Sequence, residues 1–256
     1  MEHLKDILDK VKSRGLFNSI ERFTYKPYDM DYALKVVNGL GRSRTPKFKI
    51  DEENRFTYEN LIRWVHGDSE MLCLNPETRE PMKGRLNAGI YIAGNTGTGK
   101  SWALEIMTAY SLIDNVQFKV DDNNWCLHWE NVRADSICEE FAREGSVERF
   151  KRRCILGIQD LGAEPVESLY MGNRLEVLRS VLESRGDRTD RITLITSNFP
   201  ISHVKLAERY GDRVASRLAE MCNYFEIRGR DRRKIELSNG EQRKDLPPNK
   251  ASNARR

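Results

Sequence analysis

The sequence predicts an α/β fold, a parallel five-stranded sheet flanked by helices and preceded by a small helical N-terminal region. Three observations predict it. From about residue 85, apolar β-favouring runs alternate with helical periodicity, the signature of parallel strands joined by crossover helices. Two of those runs, Cys154 to Ile158 and Ile192 to Ile195, are almost wholly apolar, as strands buried on both faces require. Between an apolar run and a helix lies Gly94-Asn95-Thr96-Gly97-Thr98-Gly99-Lys100-Ser101, a full G-x-x-x-x-G-K-[ST] phosphate loop.

That loop sets the chemistry. Its glycines reach backbone conformations closed to other residues. Successive N–H groups from Gly94 to Ser101 can then curl around phosphates, Lys100 can reach the β and γ positions, and the Ser101 hydroxyl can ligate Mg²⁺. The helix that follows offers its positive end to the anion. ATP with Mg²⁺ is the expected ligand.

The elements follow in order. Leu4, Ile7, Leu8 and Val11 fall at i, i+3, i+4 and i+7, one amphipathic helix that Gly15 would stop. A second helix runs from Asp31 through Leu34, Val37 and Leu40 to Gly41. A third follows Thr57, with Leu61, Ile62 and Val65, and ends at Gly67. Residues 42 to 56 read as a polar connector. Gly89 to Ala93 is the first sheet strand, and Trp102 to Met107 continues the helix after the phosphate loop. A polar insertion around Asp121 to Asn124 leads to Trp125-Cys126-Leu127-His128-Trp129, the strand of an inserted β-α unit, and then to a helix from Ser136 to Arg143. After the strand at Cys154 come a helix from about Asn173 to Arg185, the strand at Ile192, two helical stretches over about 202 to 221, and a strand at Tyr224 to Ile227. Residues 1–65 thus form a helical N-terminal region, 66–235 the main domain, and 236–256 a flexible basic tail without periodicity.

Composition narrows the class. The chain has 256 residues, 39% hydrophobic and 32% charged, with a mean hydropathy of −0.66, and no run long enough to span a bilayer. Five scattered cysteines without a C-x-x-C pair, and four histidines without ligand spacing, point to a reducing cytoplasm and away from zinc. The net charge of +4 is unevenly placed: Arg228 to Lys234 is densely basic. That stretch reads either as a solvated face or as a contact for nucleic-acid phosphates. Trp125 and Trp129 read either as core or as stacking surfaces for single-stranded DNA.

A phosphate loop needs an acidic partner at a neighbouring strand tip. Asp160, after Ile155-Leu156-Gly157-Ile158-Gln159, is that candidate, both as base and as metal ligand with Ser101. Asn198, after Ile192 to Ser197, either orients the lytic water or senses the γ-phosphate, or else caps the helix after Pro200.

Taken together, Gly94 to Ser101, Asp160-Leu161-Gly162-Ala163-Glu164-Pro165, Thr196-Ser197-Asn198 and Tyr210-Gly211-Asp212-Arg213-Val214-Ala215-Ser216-Arg217-Leu218 resemble the AAA+ ATPases of the bacterial replicative helicase loader type (DnaC, DnaI). The closely similar IstB-type transposition ATPases share the pattern. The resemblance covers roughly residues 85 to 235. It implies a P-loop NTPase fold without a full C-terminal lid, Asn198 as sensor, and Arg217, with Arg213 as runner-up, as an arginine finger given to a neighbouring subunit's ATP. Arg233 would stand at the second sensor. It also implies ATPase activity, self-assembly with ATP at subunit interfaces, and a replicative helicase or a transposase as partner. One departure matters: the family has two adjacent acids where this chain has Gln159-Asp160. Gln159 stands where the Mg²⁺-organising aspartate belongs, and a neutral amide is a poorer ligand for a hard cation. Binding is expected to survive and hydrolysis to be weak, which leaves a nucleotide-gated adaptor as the rival reading. Residues 1–65, free of ATPase motifs, are expected to bind the protein partner, with packing of their apolar faces against the ATPase domain as the alternative.

Overall fold

The computed structural model describes residues 4–13, 20–22, 25–113, 115–120 and 123–232. The expected tail, Arg233 and Lys234 lie outside the described residues. In chain order the elements begin with α1 (Leu4–Ser13), β1 (Ile20–Arg22), α2 (Met30–Arg44), α3 (Arg55–His66), and the short strands β2 (Leu72–Leu74) and β3 (Pro81–Lys83). Next come β4 (Gly89–Ala93), α4 (Lys100–Ile113), β5 (Gln117–Val120), β6 (Asn123–Cys126), β7 (Glu130–Arg133), α5 (Ala134–Glu144), α6 (Glu148–Arg152) and β8 (Ile155–Leu161). The chain continues through β9 (Ser168–Tyr170), β10 (Asn173–Leu175), α7 (Val177–Gly186), β11 (Ile192–Ser197), α8 (Val204–Tyr210), α9 (Asp212–Met221) and β12 (Cys222–Glu226).

The main sheet has seven strands in the order β3-β2-β12-β4-β11-β8-β7, not the five expected. The five from β12 to β7 are parallel. The two extra strands form an antiparallel hairpin on the β12 edge. Three-residue strands give period-2 alternation too little length to register.

Alternation along β4 divides the core. Ile90 and Ile92 face one layer, with α2, α3 and α4. Tyr91 and Ala93 face the other, with α5, α7, α8 and α9. The apolar faces of α2 and α3 therefore pack against the sheet: Val37, Ile62 and Trp64 are buried beside Leu104 and Phe225. Trp64 Nε1 also donates to Ala88 O at 3.0 Å. On α1, by contrast, Leu4, Ile7 and Leu8 are exposed.

Several boundaries moved for identifiable reasons. Asp29 caps α2, its carboxylate accepting from Tyr32 N at 2.6 Å, and the helix runs past Gly41 to Arg44. Gly41 is there for contact, since a Cβ would meet the Phe48 ring at 2.1 Å. The helix expected from Asn173 starts at Val177, because Asn173–Leu175 pairs back onto Ser168–Tyr170 across Met171-Gly172. Both turn residues have positive φ, +46° and +88°, the two-residue turn whose twist suits a hairpin. The inserted parallel strand is Glu130–Arg133 rather than Trp125 to Trp129. It is a polar edge strand, and Trp125 and Cys126 instead end β6, which completes a small antiparallel sheet, β1-β5-β6.

Candidate functional site

β4 ends at Ala93 and α4 begins at Lys100, so residues 94–99 bridge a buried strand and a buried helix. Gly97 and Gly99 have φ of +79° and +99°, open to glycine without strain. A Cβ on Gly94 would meet Ile227 O at 2.3 Å, so the loop lies tight against the chain leaving β12. Lys100 is buried, and its ammonium donates to Asn95 O at 2.8 Å and to Asn198 Oδ1 at 2.9 Å. Asn198 therefore faces the phosphate loop. The cap of α8 is His203, whose ring accepts from Lys205 N.

Asp160 reaches the same place through a local irregularity. Between Ile158 and Leu161, β8 carries one residue more than β11 does between Ile195 and Ser197. Asp160 takes φ +58° there, and its N–H donates to Thr196 Oγ1 at 3.0 Å. Such a bulge re-aims a side chain at a sheet's end. The Asp160 carboxylate accepts from Ser101 Oγ at 3.4 Å and from Arg133 Nη1 at 3.0 Å.

Beside it, Gln159 is 7% exposed. Its amide donates to Glu105 Oε1 at 3.0 Å and, more weakly, to Ser101 O at 3.4 Å. Glu105 in turn forms an ion pair with Arg44, at the end of α2. Arg44 also lies over the Trp102 ring, 5.9 Å from its centroid. On the other side of the loop, Arg232 N donates to Gly97 O at 2.9 Å. The Arg232 guanidinium grips Asp51 at 2.8 Å and 2.9 Å. That hydrogen-bonded pair holds the Asp51 carboxyl below its ordinary value and raises Arg232 above its own.

These groups enclose a cleft of about 520 Å³, within the range of small-ligand sites. Of the residues expected from sequence, it gathers Thr96, Gly97, Gly99, Lys100, Ser101, Asp160 and Asn198, with Gln159. Thr98 is buried behind the loop, its hydroxyl donating to Asn95 O at 2.9 Å. Arg213 and Arg217 are elsewhere. Both lie on α9 and pair with Asp187, Arg217 at 2.6 Å and Arg213 at 3.4 Å. Trp129 is core, edge-on to Trp64, so it is not a stacking surface. Trp125 is 52% exposed. Within the basic stretch, Arg232 turns inward to the cleft instead of contributing to a solvated face.

Sequence reading missed Arg44, Glu105, Arg133 and Arg232 in the cleft wall. For Arg44, Arg133 and Arg232 no local signal existed, since their place depends on strand order and chain return. For Glu105 one did: it follows Ser101 by one helical turn, which puts both on one helix face.

The residues fit a nucleotide with Mg²⁺. Positive-φ glycines leave room where side chains would intrude, a buried lysine points in, and a hydroxyl and a carboxylate converge. Among the described residues no cluster of three or more His, Cys, Asp or Glu could hold a metal. Mg²⁺ would depend on Ser101 and Asp160 with phosphate oxygens and water, its usual manner in nucleotide sites. All five cysteines are free thiols, and no helix among the described residues is long and apolar enough to cross a membrane.

No protein-family model matches the chain, and no curated protein matches it. Solved structures similar to it include a candidate primosome component from Streptococcus pyogenes serotype M3, at 19% identity and TM-score 0.46, covering 70% of this chain and 81% of that one. The DnaC helicase loader aligns at 18% identity and TM-score 0.42, over 70% of this chain and 93% of its own. The replication initiator DnaA, bound to AMPPCP and single-stranded DNA, aligns at 17% identity and TM-score 0.44, over 70% of this chain and 48% of its own. At such identities and TM-scores these are likenesses of outline, and they say nothing about what this chain binds or does.

Proposed function

We propose that this chain is a cytoplasmic AAA+ protein that binds ATP with Mg²⁺, hydrolyses it slowly, and acts in DNA replication as a DnaC-like helicase loader. The observation that carries the nucleotide reading is the convergence of three separate segments on one cleft: the phosphate loop ending in Ser101 at the start of α4, Asp160 on its bulge, and Asn198 beyond β11. Replication as the setting is supported by the four ordered motifs quoted above, and an IstB-like role in transposition rests on the same motifs.

In this reading the 94–99 backbone and Lys100 bind the phosphates. Ser101 and Asp160 hold Mg²⁺, which supplies charge neutralisation at the phosphoryl oxygens. Asn198, hydrogen-bonded to the Lys100 ammonium, would orient water near the γ-phosphate. Arg217 would serve a neighbouring subunit, for which it must leave its ion pair with Asp187 and its hydrogen bond to Gly186 O. The exposed Leu4, Ile7 and Leu8 of α1 are the apolar stripe offered to a replicative helicase or other protein partner. Trp125 and the arginines Arg228 and Arg230 would meet single-stranded DNA.

A second reading, an ATP-gated adaptor with negligible hydrolysis, is favoured by Gln159 and by the Arg133 ion pair on Asp160. Binding of a fluorescent ATP analogue tests the shared core of both: Lys100→Ala should weaken it at least tenfold, and unchanged affinity would remove the phosphate-loop assignment. Steady-state hydrolysis with and without single-stranded DNA then separates loader from adaptor.

A further inference from the structure

We infer that Glu105 supplies to Mg²⁺ the carboxylate charge that Gln159 does not, an assignment that rests on the ATP–Mg²⁺ reading of the cleft. Asp160 keeps one acid at the tip of β8, and the second negative charge stands on the first turns of α4 instead. Ser101 and Glu105 are four residues apart on α4, so they share a face. Helical side chains lean toward the N-terminus, which carries the Glu105 carboxylate back toward Ser101. Both line the cleft together with Asp160.

Gln159 makes the exchange specific. Its amide donates to Glu105 Oε1 at 3.0 Å, whereas an aspartate at 159, though one methylene shorter, would bring a second anion close to that carboxylate. A neutral donor at 159 and an acid at 105 are thus a matched pair. The Gln159 amide also reaches Ser101 O, tying the acid to the residue whose hydroxyl is the expected metal ligand. Glu105 is anchored on its far side as well, since Oε2 pairs with Arg44. A carboxylate accepts about four hydrogen bonds, so with one donor on each oxygen it retains acceptor sites toward the cleft. Mg²⁺ keeps several waters in such sites, and an acid can act on it through one of them.

The experiment measures metal binding directly. Mn²⁺ affinity of the protein saturated with a non-hydrolysable ATP analogue is read by electron paramagnetic resonance, alongside analogue affinity in EDTA. Glu105→Gln should weaken Mn²⁺ about tenfold, the scale of losing an outer partner of a metal, and leave analogue affinity in EDTA unchanged. Adding Gln159→Asp to it should restore Mn²⁺ affinity, since the charge returns to the strand. Mn²⁺ affinity unchanged in Glu105→Gln, or lost and not restored by the second substitution, overturns the assignment in favour of a purely structural tie between α2, α4 and β8. If Glu105→Gln does not fold, Glu105→Asp keeps the charge but withdraws it by one methylene. A several-fold loss of Mn²⁺ affinity there supports the assignment, and none overturns it. Failure of the underlying reading looks different: wild-type protein would bind no analogue, with or without metal.

Discussion

At residue 160 the backbone does something most side chains would resist. Asp160 lies at φ +58°, where Asp and Asn are tolerated better than most residues. The bulge that forces this conformation is also what turns the carboxylate toward Ser101. Asp160→Asn should therefore keep the fold and the local backbone while removing the charge. We expect turnover to fall about 10²- to 10³-fold, the scale of losing one well-placed electrostatic group, with ATP-analogue affinity nearly unchanged. Single-turnover hydrolysis alongside equilibrium binding checks this, and equal turnover in the two proteins would remove Asp160 from the chemistry. Asp51 offers a test by pH. Its carboxyl titrates below the ordinary 3.8 because Arg232 hydrogen-bonds the ionised form. A carboxyl with a lowered folded value contributes stability above its unfolded value, and that contribution disappears as pH falls through the folded one. Wild type should thus lose its advantage over Asp51→Asn below about pH 4; urea midpoints at pH 7 and pH 3 that differ equally would contradict the pairing.

Among the elements, α9 and the two small hairpins mark the limits of what the sequence discloses. The phosphate loop, the parallel strands β4, β8 and β11, and the glycine stop after α3 are legible because periodicity, apolar runs and Gly67, with φ +68°, act locally. The β2-β3 hairpin is not, being too short for a period. Neither is β7, which is polar because it is an edge. In the cleft, Lys100, Ser101 and Asp160 announce themselves by motif. Arg44, Arg133 and Arg232 arrive only through tertiary return and leave no local trace. Arg213 and Arg217 were legible as a motif, yet in one chain α9 holds both against Asp187, away from the cleft. A role in trans makes a definite prediction. Arg217→Ala should hydrolyse ATP poorly but bind it normally, and mixing it with Lys100→Ala should recover part of the activity. Activity that is independent of dilution, with no recovery on mixing, would exclude an intersubunit role.

For the whole molecule, the consequential fact is that α2 and α3 complete the layer over α4. Trp64 is 1% exposed in that layer, and Trp64→Ala should cost roughly 3–5 kcal/mol of stability, measurable by urea unfolding. Removing residues 1–65 would strip most of this layer from the sheet and should give an unstable protein. Removing only residues 1–13 takes away α1, whose Leu4, Ile7 and Leu8 are exposed. That shorter deletion should leave the melting temperature and ATP binding within error while abolishing capture of a protein partner. Retained capture would relocate the docking surface.

The return of the chain at Arg232 also has a mechanical meaning. Beyond β12 the backbone hydrogen-bonds first to Ala93 and then, through Arg232 N, to Gly97 in the phosphate loop, while the Arg232 side chain is pinned to Asp51. A load applied past this point would enter the molecule at the loop itself, before reaching the sheet. Tension there would peel the segment from Gly97 and strain the phosphate cradle while the parallel strands still held. The glycine-rich loop at 94–99 is thus the part of this molecule that would first feel a pull on the chain that follows Arg232.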